Sequence, residues 1–369
     1  MLWNLWSDFR HVLVLSLFVA PALCTFAALG QPVVPRITVS GGSFVVSDSG
    51  ERFTPWGFNY DQDWRFRLIE DYWGDEWPKV EEDFGELHAL RANVVRIYLQ
   101  YHRFMDGPTS PNEANLSRLR DLVVLAEGLG IYLDIVGLGS FRPDEDPAWY
   151  VDLSEPERWA AQATFWETIA KTLADRPGVF AFNLMNEPLV AADRLERAAW
   201  VHPDELEGMH YIQYINLDPD GRNRADIAVA WIRQMKRAIR THDRERLITV
   251  GLFPLFGLPD ASGFAPRRIA PEVDFISVHL YPEAGRVDET LDLLEGYDVG
   301  LPILIEETFP LNSGIDEYRS FLNGSRATAD GWLSFYWGET AEDLAQRDGP
   351  RAGLVREAIE VFAEFRPVP

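Results

Sequence analysis

Short, almost wholly apolar runs alternate along the chain with longer stretches whose apolar residues recur every three or four positions. The runs fall at 55–59, 93–98, 131–136, 179–184, 247–252, 274–279, 302–306 and 332–337. Such runs are what strands buried on both faces require. Between them, Val80/Phe84/Leu87, Leu119/Leu122/Val123/Ala126, Phe165/Ile169/Leu173, Ile227/Trp231/Met235/Ile239 and Leu354/Ala358/Val361/Phe365 each mark one apolar face of a helix. The apolar patterns after the fifth and sixth runs are short. Strict alternation of strands with helices predicts an α/β fold, a (β/α)8 TIM barrel. A short β-hairpin over 37–53, turning at Ser47-Asp48-Ser49-Gly50, is predicted to precede it.

Composition narrows the class. With 369 residues, 47% of them hydrophobic, the chain can bury a large core, and barrels of this size are routinely one domain. One catalytic domain is predicted over 31–369. The net charge of −24 excludes nucleic acid and anionic membrane surfaces as partners, because both repel an acidic protein. At the N-terminus, Arg10 and His11 precede an apolar run from Val12 to Leu23, with Ala28-Leu29-Gly30 as the cleavage site. This predicts a signal peptide over 1–30 and a secreted or periplasmic protein with no stable membrane partner after cleavage. The alternative is an anchor through an uncleaved signal, although the run is short of the ~20 residues a spanning helix needs. Cys24 is the single cysteine and lies inside this segment, so the mature chain would hold no disulfide.

Chemistry concentrates at the ends of the apolar runs. Phe182-Asn183-Leu184-Met185 leads into Asn186-Glu187-Pro188, and Pro302-Ile303-Leu304-Ile305 leads into Glu306-Glu307. In a parallel barrel these C-terminal strand ends converge on one face, where active sites are built. Two carboxylates across a cleft are the minimal machinery for cleaving a glycosidic bond. His202 and His210 lack the spacing and the cysteine partners of a zinc site, so no metal and no cofactor is expected. No nucleophile-elbow serine, P-loop or complete dinucleotide fingerprint is present.

Taken in order, these strand ends resemble glycoside hydrolase family 5, over essentially all of the chain after residue 36. The resemblance implies Glu187 as acid/base and Glu307 as nucleophile. It also implies substrate-binding roles for Arg96, Asn186, His279, Tyr281 and Trp337, with Arg96 and Tyr281 placed to favour the charged form of Glu307 and His279 to steady Glu187 or the substrate. Where many members carry a histidine after the third strand, this chain reads Val136-Gly137-Leu138-Gly139. It shares that departure, and the Glu-Glu and His-Leu-Tyr-Pro forms, with mannanase-like branches. The implied activity is retaining hydrolysis of a neutral β-linked glycan, mannan or glucan, with an oligo- or polysaccharide as partner. A transglycosylase, a glycolipid-cleaving relative and a non-catalytic carbohydrate-binding barrel are the alternatives. No pattern in the chain bears on oligomeric state.

Three further expectations concern single features. Adjacent strand residues point to opposite sides, so with Glu307 at the mouth, Glu306 should face the helices. The long connection 188–223, rich in aromatics, should fold over one end of the cleft and favour short chains or chain ends. Trp73, Trp77 and Trp200 are candidate sugar-stacking residues, with core packing an equal explanation.

Overall fold

The structure, a computed structural model, describes residues 34–367; the expected signal segment lies outside them. Among the described residues no helix is long and apolar enough to cross a membrane. The chain opens with a hairpin, β1 (Ile37–Ser40) against β2 (Ser43–Val46). Its turn is made by Gly41 and Gly42, both at positive φ, which suits a two-residue connection between twisted strands. The expected turn at 47–50 exists, but as a second reversal that brings Arg52 beside Val45.

The barrel follows as predicted. Its staves are β3 (Trp56–Asn59), β4 (Val94–Gln100), β5 (Tyr132–Gly139) and β6 (Val179–Asn183). A fifth stave is broken at Val250 into β7 (Leu247–Thr249) and β8 (Gly251–Leu252). β9 (Ile276–His279), β10 (Ile303–Glu307) and β11 (Gly331–Phe335) complete it. All pairings are parallel, and β11 closes on β3 with Phe335 beside Asn59. Outside lie α1 (Trp77–Ala89), α2 (Glu113–Gly128), α3 (Glu155–Leu173) and α4 (Arg224–Arg240). The short α5 (Pro266–Ile269) and α6 (Val287–Glu295) follow, then α7 (Ile315–Ser325) and α8 (Pro350–Phe365). Caps fix the helix starts: Asn223 accepts from the first-turn amides of α4, and Ser154 forms a capping box with Glu157 at α3.

The barrel interior is layered with the two-residue period of the strands. The bottom layer is apolar, with Val94, Tyr132, Ala181, Phe275 and Leu304 packed on Phe44 of the N-terminal hairpin. Two residues further along each of the same strands stand Arg96, Asp134, Asn183, Ser277 and Glu306, all without solvent exposure. Burying this many polar groups is tolerable only if they satisfy one another. The active-site floor is therefore a buried polar layer resting on an apolar plug.

Candidate active site

Glu187, four residues beyond the end of β6, has φ 41°, a backbone conformation that non-glycine residues avoid, immediately before Pro188. That kink lifts its carboxylate over the barrel mouth. Glu307 arrives from β10 through a register shift: Val278 pairs with Ile305, but His279 pairs with Glu307, leaving Glu306 as an extra residue. A bulge of this kind re-aims a side chain. The expectation that Glu306 faces the helices is thereby overturned. Glu306 points into the barrel, where Asn183 Nδ2 donates to it at 2.7 Å, the Ser277 hydroxyl also donates, and Arg96 Nη2 lies 3.2 Å away. Both consecutive glutamates face the axis, one above the other.

Oxygens of Glu187 and Glu307, with a nitrogen of His279, lie within 4.8 Å of one another. Three such donors could in principle take a metal ion. Here, however, Arg96 already occupies Glu307 Oε1, and His279 Nδ1 lies 2.8 Å from Glu187 Oε1. Arg96 is the hub of the floor. Its Nη1 donates to Glu307 and to Asn59 Oδ1 at 3.0 Å, and its Nη2 donates to Asn186 Oδ1 at 3.0 Å. Tyr281 and Tyr98 add hydroxyls to the two oxygens of Glu307, Tyr98 at 2.9 Å. Gly251 is needed at the broken fifth stave, because a Cβ there would stand 3.0 Å from the His279 ring and 3.1 Å from Arg96.

The charges separate the two glutamates. Burial pushes the Glu187 carboxyl up, and the Glu307 charge adds to this, outweighing the pull of His279. Burial would raise Glu307 too, but His279, Arg96 and the two tyrosine hydroxyls more than offset it and hold it below the usual range. Beneath them, burial and the neighbouring Glu306 hold Asp134 well above the carboxylate range, so Asp134 carries a proton toward its partner. Burial opposes ionisation of Glu306 as well, yet Arg96, His279 and the Asp134 hydrogen bond bring it down to about 2. Two pairs of carboxyls are thus split, one acid and one anion in each. That is the arrangement from which acid and base roles are made.

Burial alone would lower the His279 ring. The Glu307 charge and the bonds to Glu187 and Glu306 outweigh it and hold the pKa up at about 9. A histidine raised above its unfolded value near 6.5 contributes stability that is complete below that value and is lost as pH rises through about 9. The thermal midpoint should accordingly fall between pH 6.5 and 9, and His279→Asn should flatten that part of the profile. An unchanged slope in the variant would show that other groups set it.

The open cleft above has a volume of about 420 Å³. Glu187, Glu307, Tyr281 and Trp337 line it, as expected. Arg96, Asn186 and His279 do not: they are buried beneath, where Arg96 and His279 hold the glutamates, and Asn186 accepts from Arg96 and donates to Tyr211 O at 3.1 Å. The indole of Trp337 is braced by Phe335, with centroids 5.6 Å apart, and by Phe309. Trp73 and Trp200 are core residues, and Trp77 packs against the core; none lines the cleft. Leu354, expected in the helix core, lines the cleft instead. Sequence reasoning missed Tyr98, Asp61, Gln62 and Phe253; Tyr211 belongs to the aromatic connection expected over the cleft. Tyr98 alone carried a signal, lying two residues after Arg96 on the same face of β4. In place of a histidine after the third stave, Gly139 makes room for the Gln100 side chain, whose Oε1 accepts from Phe141 N at 2.9 Å. The connection 188–223 crosses above Phe141, with His210 N donating to Phe141 O at 2.8 Å, and its residues 204–207, 211 and 212 wall the cleft.

Comparison with known proteins fits this geometry. The sequence model for Cellulase (glycosyl hydrolase family 5) matches residues 48–296, about two thirds of the chain. A search of curated proteins finds no match. Among solved structures, the fold is similar to that of the exo-β-1,4-mannosidase from Opitutaceae bacterium strain TAV5. The identity is 20%, with 89% of this chain and 61% of that chain covered and a TM-score of 0.65. This chain therefore spans less than two thirds of that enzyme's length. A GH5_18 protein from Streptomyces cattleya in complex with Manβ1-4GlcNAc is 18% identical over 85% of this chain and 80% of that one, with a TM-score of 0.62. The endo-1,4-β-mannanase from Eisenia fetida is 15% identical over 90% and 95%, with a TM-score of 0.60. A barrel with paired strand-end glutamates and a family match across most of its length leave one assignment: the chain belongs to glycosyl hydrolase family 5 and is a glycoside hydrolase.

Proposed function

We propose that the protein is a retaining β-glycosidase acting on β-mannan-like glycans, with Glu307 as nucleophile and Glu187 as acid/base. The carrying observation is that oxygens of the two glutamates approach within 4.8 Å. Retaining pairs stand ~5–5.5 Å apart, whereas inverting pairs need ~6.5–9.5 Å to admit a water. The Glu307 carboxylate attacks the anomeric carbon while Glu187 gives its proton to the departing oxygen, and the C1–O bond breaks. Glu187, now ionised, takes a proton from water, whose oxygen attacks C1 and frees Glu307. Trp337, which lines the cleft, offers an aromatic face to the ring. The mannoside preference rests on the named substrates of the mannosidase and mannanase neighbours.

A second reading has its own observation. Leu206, Ile212, Phe253, Leu311 and Leu354 give the cleft an apolar wall, which suits an apolar leaving group such as a glycolipid's. The test is a panel of β-mannans, β-glucans, aryl β-glycosides and alkyl β-glycosides, with proton NMR of the first anomer formed. A β-mannoside or β-glucoside cleaved to the β-anomer is the expected result. Initial release of the α-anomer would overturn the retaining mechanism, and inertness across the panel would sink the enzyme reading of this site.

A further inference from the structure

The tip of the 188–223 connection is built unlike the rest of it. Leu206 and Met209 exchange both backbone hydrogen bonds, at 2.9 and 3.0 Å, around Glu207 and Gly208. Both central residues have positive φ, 57° and 83°. This is the two-residue hairpin turn that asparagine or glycine normally fills. A glutamate there is strained, and strain of this kind persists where the side chain has a task. Its carboxylate reaches Gln62 Nε2, which donates to it at 2.7 Å, and Arg351 Nη2 of α8 at 3.3 Å. A hairpin rooted after β6 is therefore tied to the loop after β3 and to the last helix, across the barrel mouth.

The tie closes the side of the cleft nearest Glu307, because Asp61, next to Gln62, lies close enough to feel the charges of both Glu307 and Glu207. Asp61 and Tyr211 stand there. Burial raises Asp61 to about 7, and the next cause is its nearness to Glu307. Gln62 is buried, and its Oε1 has no hydrogen-bond partner among the described residues although the residue lines the cleft. An acceptor left open in so enclosed a place costs free energy unless a ligand's donor completes it. Asp61, Gln62, Glu207 and Arg351 together present acceptors and a cation at that closed end, with Leu206 and Leu354 flanking them on the same hairpin and helix.

We propose that this closed end is a glycone pocket in which Gln62, Asp61 and the Glu207–Arg351 pair read the free hydroxyls of a terminal sugar, making the enzyme chain-end acting. The sugar bound over Glu307 is then the last of its chain, and the leaving group extends past Glu187, away from the hairpin tip. The inference rests on the assignment of Glu307 and Glu187 proposed above, because the covalent sugar must sit at the closed end. A chain continuing beyond that sugar would run into the hairpin tip.

The experiment uses the full-length protein on manno- and gluco-hexaoses labelled at the reducing end, with product sizing at early times. Release of monosaccharide from the unlabelled end, with the label shortening one unit at a time, is expected. Glu207→Ala, with its melting temperature measured as a control on folding, should lower monosaccharide release roughly ten-fold or more, mainly through KM, and yield internal cleavage products. Wild-type products of every length from the first turnovers would overturn the pocket. So would a folded Glu207→Ala enzyme with unchanged KM and product pattern. If neither hexaose is cleaved, the catalytic reading fails rather than the pocket, which is then judged by calorimetry with short manno-oligosaccharides. Affinity should fall ten-fold in Gln62→Ala and Glu207→Ala, and equal affinity in both variants and wild type would refute it.

Discussion

Glu307→Gly should reduce turnover by on the order of 10⁵-fold or more, as expected when a covalent nucleophile is removed. Azide should restore much of it on an activated aryl glycoside. The small anion fills the space the carboxylate leaves and attacks C1 from the same face, so the product is the glycosyl azide of inverted configuration. Rescue should work well because the surroundings that hold Glu307 ionised remain in place. Arg96, His279, Tyr98 and Tyr281 all point at that site and stabilise an anion there. Glu306→Gly provides the control. Its carboxylate lies beneath Arg96, bonded to Asn183 and Ser277, where an azide has no line to a sugar. Rescue of Glu306→Gly and not of Glu307→Gly would move the nucleophile by one residue and undo the mechanism.

The barrel and its paired glutamates were legible because both follow from local pattern. Apolar runs of strand length, separated by helical periodicity, permit few other folds, and the eight staves fall close to the expected ranges. The residues at the strand ends then converge by topology alone. What the pattern could not reveal is where strict alternation fails. The bulge at Glu306–Glu307 leaves no mark in the sequence beyond two adjacent carboxylates, and the rule of opposite faces sent Glu306 to the wrong side. The same limit applies to the cleft wall. Asp61, Gln62 and Glu207 meet only because loops after different strands cross the barrel mouth, and no periodicity encodes that crossing. The expected action of Arg96 on Glu307 and of His279 on Glu187 is met, but strand-end position also suggested that both line the pocket, and both side chains lie one layer down.

Glu306→Gln should destabilise the protein by about 3–5 kcal/mol, the usual cost of breaking one member of a buried charged group. The substitution is close to isosteric, so the effect comes from charge. Arg96 stays buried with one anion fewer, and Asp134 loses the carboxylate toward which it holds its proton. Activity per folded molecule should also fall, roughly ten- to a hundred-fold, the equivalent of about 1.4–2.8 kcal/mol in the barrier. The reason is that Arg96 and the His279 ring, which contact Glu306 from above, help set the ionisation of Glu307 and Glu187. The sign of the pH effect separates this from simple unfolding. With one anion removed from beside His279, less holds its ring protonated, so His279 should deprotonate at a lower pH and the alkaline limb of kcat/KM should move toward neutrality. Urea unfolding reads the stability loss, and pH–rate profiles at a temperature where the variant is fully folded read the catalytic one. A stable variant with a wild-type profile would mean that Glu306 is a passive part of the floor, and that Asp134 and Arg96 balance each other without it.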